Sequence, residues 1–207
     1  MQECYGDGIF DGLIVRSNGK VGFIRDRGNP MGFPYMKCIY DSLSPVTNKS
    51  TFPHGKIGLS PLIFEVCIDG KWGIRTPDCY YELYRTIFGA VNIPCEYDSV
   101  RLVKNYPAVA IVRKCDFISF LNIDNKNEFG KYKVVFQVVS NSSYVKNQGI
   151  FFACIHDWEE VNGCIVDGCP MRISKADIFD VTRWKVIDRE EFCWNVTTKR
   201  GTYWRKA

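Results

Sequence analysis

Apolar and polar residues along this chain alternate in short runs, and the runs come in pairs around Asn-Gly or Asp-Gly. Ile63-Phe64-Glu65-Val66-Cys67-Ile68 predicts an outgoing strand, Asp69-Gly70 a tight turn, and Lys71-Trp72-Gly73-Ile74-Arg75 the returning strand. An earlier stretch repeats the arrangement with Leu13-Ile14-Val15-Arg16, Asn18-Gly19 and Lys20-Val21-Gly22-Phe23-Ile24-Arg25. Both dipeptides suit a two-residue hairpin turn, which needs positive φ at its central positions and matches the twist of the flanking strands. Alternation places Val21 with Phe23, and Trp72 with Ile74, on the face predicted to be core. Gly22 and Gly73 interrupt the other face, which implies that a neighbouring backbone or ring approaches closely there.

Each hairpin leads to a closing strand that carries Tyr-Asp-Ser: Ile39-Tyr40-Asp41-Ser42-Leu43, then Glu96-Tyr97-Asp98-Ser99-Val100. A degraded third copy reads as an outgoing strand from Ala108 to Arg113, a turn at Lys114-Cys115-Asp116, a return from Phe117 to Leu121 and a closing strand from Val134 to Val139. The second copy is lengthened between Thr76 and Asn92, where Tyr81, Tyr84, Ile87 and Phe88 have the spacing of a short helix. Repetition of this kind means that one supersecondary unit has been copied and stacked.

After Asn147-Gln148-Gly149 the pattern stops. Ile150 to Ile155 predicts one more strand, and Ser174-Lys175-Ala176-Asp177, ahead of Ile178, Phe179, Val181 and Trp184, has the spacing of a helix capping box with Asp in place of Glu. The expected fold is mainly β: tandem three-stranded β-hairpin repeats, about three units over residues 1–147, with a mixed α/β C-terminal cap over 148–207.

Gly70-Lys71-Trp72-Gly73-Ile74 followed by Ile93-Pro94-Cys95-Glu96-Tyr97-Asp98-Ser99-Val100 resembles the bacterial WG-repeat family, whose units pair a Gly-x-Trp-Gly hairpin with a Pro-x-x-Tyr-Asp strand. The likeness is best over residues 62–103; only Trp72 keeps the tryptophan, with Val21 and Phe117 in its place in the other copies. The resemblance implies short three-stranded β units with roles in interaction, and it carries no catalytic residues. A non-catalytic module that binds a protein partner through loops on a rigid scaffold is the function expected. Tyr80, Tyr81, Tyr84 and Arg85 of the lengthened loop are its candidate contacts.

Composition adds limits. With 46% apolar residues in a 207-residue chain there is enough to bury a real core, and 14% aromatic residues favour strands. No apolar run approaches the roughly 18 residues of a membrane helix, and the first residues lack the basic start and apolar run of a signal peptide. Of ten cysteines, Cys67 and Cys154 fall inside apolar strands, which points to reduced, buried thiols and a cytoplasmic location, with five disulfides in a secreted chain as the rival. From Arg183 to Ala207 seven basic residues face three acidic ones, a surplus equal to the net +4 of the whole chain. Trp194, Arg200, Trp204 and Arg205 therefore offer an alternative, stacking and phosphate contacts for nucleic acid or another anionic ligand. A second alternative is a Cys/His enzyme or zinc site around His156, with Asp157, Glu159, Glu160, Cys154, Cys164 and Cys169 near in sequence, although these lack the paired two-residue spacings of a zinc motif. No nucleophile elbow, phosphate loop or dinucleotide fingerprint is present, and no cofactor is expected.

Overall fold

Left-handed backbone closes the first hairpins where the dipeptides predict it. Asn18 and Gly19 have φ of 51° and 77°, and Asp69 and Gly70 have 51° and 74°. Pairing continues to the edge of each turn, at Ser17 with Lys20 and at Ile68 with Lys71. Cys115 takes the same left-handed position, at φ 55°, in a third turn that lacks glycine.

The computed structural model describes residues 3–5, 12–25, 35–45, 63–77, 91–103, 106, 108–138, 149–156, 161–166, 169–195 and 201–203. They form four antiparallel sheets, and no helix occurs among them. The first sheet orders β1 (Glu3–Tyr5), β2 (Gly12–Ser17), β3 (Lys20–Arg25) and β4 (Tyr35–Tyr40). The second orders β5 (Ser42–Pro45), β6 (Phe64–Ile68), β7 (Lys71–Arg75) and β8 (Asn92–Tyr97). The third runs from β12 (Glu128–Tyr132) through β11 (Phe117–Asn122) and β10 (Val109–Lys114) to β9 (Ser99–Leu102). In the fourth, β13 (Val134–Gln137), β14 (Phe151–Ile155), β16 (Cys169–Asp180), β17 (Lys185–Asn195) and β18 (Gly201–Tyr203) lie in that order, and β15 (Val161–Val166) pairs with β16. Backbone contacts divide the chain into two compact units, Met1–Cys115 with Phe120–Glu128, and Asp116–Ser119 with Phe129–Ala207.

Within the first unit the strand glycines do what their placement implies. Between the pairs Val21–Tyr40 and Phe23–Met36, β3 contributes one residue, Gly22, and β4 contributes residues 37–39. The same bulge faces Gly73, between Trp72–Tyr97 and Ile74–Ile93. A Cβ on Gly22 would sit 2.5 Å from the Met36 carbonyl oxygen, and one on Gly73 would strike the Ile93 carbonyl oxygen and come within 2.8 Å of the Pro94 carbonyl carbon. The bulge fills the space a side chain would take, and it also admits Pro94, which has no N–H to give a ladder. Cys38 and Cys95 occupy matching bulge positions, and their thiols donate across the glycine to the carbonyls of Val15 and Val66, at 3.8 and 3.6 Å.

The Tyr-Asp bends tie one hairpin to the next. Asp41 accepts from Lys20 Nζ at 2.5 Å and from the Asp69 amide at 2.7 Å, while its own amide donates to Cys67 O at 2.9 Å. Asp98 repeats each bond: it accepts from Lys71 Nζ and, at 2.6 Å, from the Cys115 amide, and its amide donates to Arg113 O at 2.8 Å. Both carboxyls are held below their ordinary value, first by the lysine and then by the next turn's amide. A lowered carboxyl contributes its stability in full above the ordinary value and loses it as pH falls through the lowered one. The melting midpoint is thus expected to drop as pH goes below about 3.8, and the double variant Asp41→Asn, Asp98→Asn to drop less steeply. Parallel curves for variant and parent would refute this.

Among the described residues of this unit two apolar clusters form. Ile14, Val21, Phe23, Met36 and Tyr40 of the first sheet pack with Leu43, Phe64 and Val66 of the second, where the Phe23 and Phe64 rings are 4.8 Å apart. Ile74, Ile93 and Tyr97 of the second sheet pack with Val100, Leu102, Ala110, Val112 and Leu121. Phe23 and Ile74 are buried as expected and Tyr40 and Tyr97 are buried beside them, but Trp72 is only half-buried at the margin of its cluster.

In the second unit three expectations are corrected. The third closing strand is β12, ending at Tyr132, rather than Val134–Val139. Tyr132 is the buried counterpart of Tyr40 and Tyr97, and the Lys133 amide donates to Ile155 O at 2.8 Å as the two aspartates' amides do to their partners. Counted from the turn, Phe117 holds the position of Lys20 and Lys71, so Ile118, and not Phe117, stands where Trp72 does. The ion pair is replaced by a cation–π contact, with Lys133 Nζ 4.2 Å from the centre of the Phe117 ring.

The third correction is the helix at Ser174, which is strand β16. Ser174, Ala176 and Ile178 are buried while Lys175 is exposed, a two-residue period that capping-box spacing does not reveal. Pairing with β14 on one side and β17 on the other outweighs local propensity. The core of this unit joins Val134, Phe136, Phe151, Ala153, Ile155, Ala176 and Ile178. Beyond β16, buried Asp180 organises the turn: its Oδ1 accepts from the Thr182 amide at 2.9 Å, the Thr182 hydroxyl at 2.6 Å and the Arg183 amide at 3.1 Å. Trp184, at φ 54°, then makes T-shaped contacts with Phe179 and Phe129, whose rings stack 4.5 Å apart.

Candidate functional site

The connection between β7 and β8 is the longest of the three that join a returning strand to its closing strand. It leaves and re-enters the second sheet at one clamp. The Thr76 amide donates to Val91 O at 3.1 Å, and the Val91 amide donates back to the Thr76 hydroxyl at 3.2 Å. The corresponding connection in the third sheet is short and is closed by the Asn122 amide donating to Asn127 O at 2.8 Å. Tyr80, Tyr81, Tyr84 and Arg85, like the helix expected over 81–88, lie outside the described residues. So do Arg200, Trp204 and Arg205; Trp194 is placed in β17, with its backbone paired to Arg172 and Gly201.

His156 is the one candidate for chemistry whose surroundings are described. It follows β14, half-exposed, and its Nε2–H donates to Asp177 Oδ2 at 2.7 Å. Asp177 sits in β16 opposite Cys154 and Arg189, and Arg189 Nε approaches its Oδ1 at 3.5 Å. The Tyr132 ring lies 4.6 Å from the imidazole. Neither Asp177 nor Arg189 is close to His156 in sequence, and only the strand register brings them together.

A carboxylate-held imidazole is the orienting half of a catalytic pair or of a metal ligand, and each use needs a further group. Cys154 does not supply a nucleophile. It is fully buried, its thiol donates to Phe152 O at 3.7 Å, and burial pushes its pKa well up, which keeps it protonated. Among the described residues no group of three or more His, Cys, Asp or Glu is placed to hold a metal ion. The arrangement fits a polar clamp between β14 and β16.

No protein-family model matches the chain, and no curated protein does.

The residues that recur with a defined geometry are instead those of the bends. Lys133 was the least visible of them in the sequence, because a lysine in the aspartate's place hides the Tyr-Asp signal. Asp167-Gly168, between the paired Val166 and Cys169, carries the hairpin signal of Asp69-Gly70 and marks the β15–β16 pair.

Proposed function

We propose that this chain is a non-catalytic β-repeat interaction module of the WG-repeat kind that binds a protein partner through the long loop between β7 and β8. One observation carries the reading: hairpin turns, strand glycines and Tyr-Asp bends recur at matched positions with matched bonds, while the connections between returning and closing strands vary, spanning 26–34, 76–91 and 123–127. Side chains committed to turns and bends build a scaffold, and a loop of free length clamped at its base suits recognition. Tyr80, Tyr81, Tyr84 and Arg85 supply aromatic and guanidinium contacts of the type that dominates protein interfaces.

The test replaces residues 78–89 by a short Gly-Ser linker and keeps the Thr76–Val91 clamp. The expected result is an unchanged melting midpoint together with loss of a protein captured by the parent chain from its host lysate, confirmed with the two purified components. Capture that survives the replacement would refute the loop's role, and a salt-sensitive shift of single-stranded oligonucleotide by the parent would favour the basic C-terminal segment.

A further inference from the structure

Register equates the first three sheets position by position. Val15 and Val66 sit opposite the strand glycines Gly22 and Gly73, and Val66 and Val112 sit opposite Leu43 and Val100, which follow the bends. By the same count β1 stands where β5 and β9 stand, since Glu3 pairs with Ile14 as Ser44 does with Glu65 and Arg101 with Ile111. The side that carries these valines is covered in the second sheet by Val21, Phe23 and Tyr40 of the first, and in the third by Ile74, Ile93 and Tyr97 of the second. Val66 and Val112 are accordingly 1% exposed.

The first sheet departs from this. Val15 is half-buried, and Ile24 is 41% exposed where its third-sheet counterpart Leu121 is 2% exposed and its second-sheet counterpart Arg75 is half-buried. Neither belongs to an apolar cluster among the described residues. The turn shows the same deficit. Asp69 and Cys115 give their amides to the aspartate of the bend before, whereas Asn18, at the same turn position, receives no carboxylate from the described residues.

We infer that this side of the first sheet is a docking surface for a β unit of the same kind carried by a partner chain, which covers Val15 and Ile24 and sets an aspartate on the Asn18 amide. The intramolecular stacking supplies both halves of the match: an apolar sheet face and a Tyr-Asp bend. The last sheet of a second copy is a poor occupant, because Ala153, Ile155, Ala176 and Ile178 are already buried in their own core. The inference rests on the protein-binding reading and adds the partner's chemistry.

A copy of residues 63–98 placed directly ahead of Met1 puts its final aspartate at the count that Asp41 and Asp98 hold before β5 and β9. In the parent chain the Asn18 amide is expected to exchange with solvent about tenfold or more faster than those of Asp69 and Cys115. In the tandem chain it slows to their level, and Asp98→Ala in the added copy alone restores fast exchange. An Asn18 amide as slow as Asp69 in the parent, or unchanged in the tandem, overturns the inference. Ile24→Lys in the parent provides a check independent of the copy's folding: an unchanged melting midpoint is expected, and a fall of several degrees would show the face already covered. A captured protein that is lost from the tandem supports docking here; one kept by the tandem yet lost on loop replacement removes this inference and leaves the loop reading standing.

Discussion

Gly73→Val is expected to cost about 3 kcal/mol in urea denaturation and Gly73→Ala about 2, as overpacking against fixed backbone does. The added carbon meets the Ile93 carbonyl oxygen and the Pro94 carbonyl, main-chain atoms of a bulge that cannot swing aside as a flexible side chain would. Gly70→Ala separates packing from backbone conformation. Gly70 has φ of 74° with nothing within 4 Å of its would-be Cβ, so its substitution costs only the left-handed term of about 1–2 kcal/mol. Gly73→Val no more damaging than Gly70→Ala would mean that the bulge yields, and the account of the glycine would fail.

Asp180→Ala should cost the second unit about 3 kcal/mol, since it strips two amides and a hydroxyl of a charged, buried acceptor. Asp180 is 1% exposed, and its carboxylate holds residues 182 and 183 while β16 turns into β17. Asp180→Asn keeps an acceptor oxygen and should recover part of the loss. Chemical denaturation gives the magnitude, and faster proteolytic cleavage within residues 181–184 of the alanine variant would locate it. Equal stability of the alanine and asparagine variants would sink the proposed role of the acceptor.

The legible parts of this fold are those in which one residue type answers a local need. Asn18-Gly19 and Asp69-Gly70 announce their turns because few residues accept left-handed backbone, and Gly22 and Gly73 announce a close approach because nothing larger fits. What stayed hidden depends on partners distant in sequence. Ile178, Phe179 and Val181 read equally as a helix face or a strand, and β14 and β17 decide the matter. The third closing strand was obscured by paired substitutions: Phe117 replaces the turn's lysine and Lys133 the bend's aspartate, so neither residue looks like its counterpart although the contact survives. The clamp of His156 by Asp177 likewise has no local signature, since it spans β14 to β16.

The lysine at residue 133 also bears on how the last hairpin differs from the others. After Cys67 and Arg113 the chain turns back within a few residues, and the amide at each turn is fastened by the bend before it. After Ile155 the chain instead runs on to β15 and returns as the twelve-residue β16. With lysine at the bend there is no carboxylate to receive a turn amide, so length could be added after His156 without surrendering that bond. Between Ile68 and Lys71 any inserted residue would displace an amide already in use. The lysine that stands in the aspartate's place thus cannot make the bond that fastens the turns at Asp69 and Cys115.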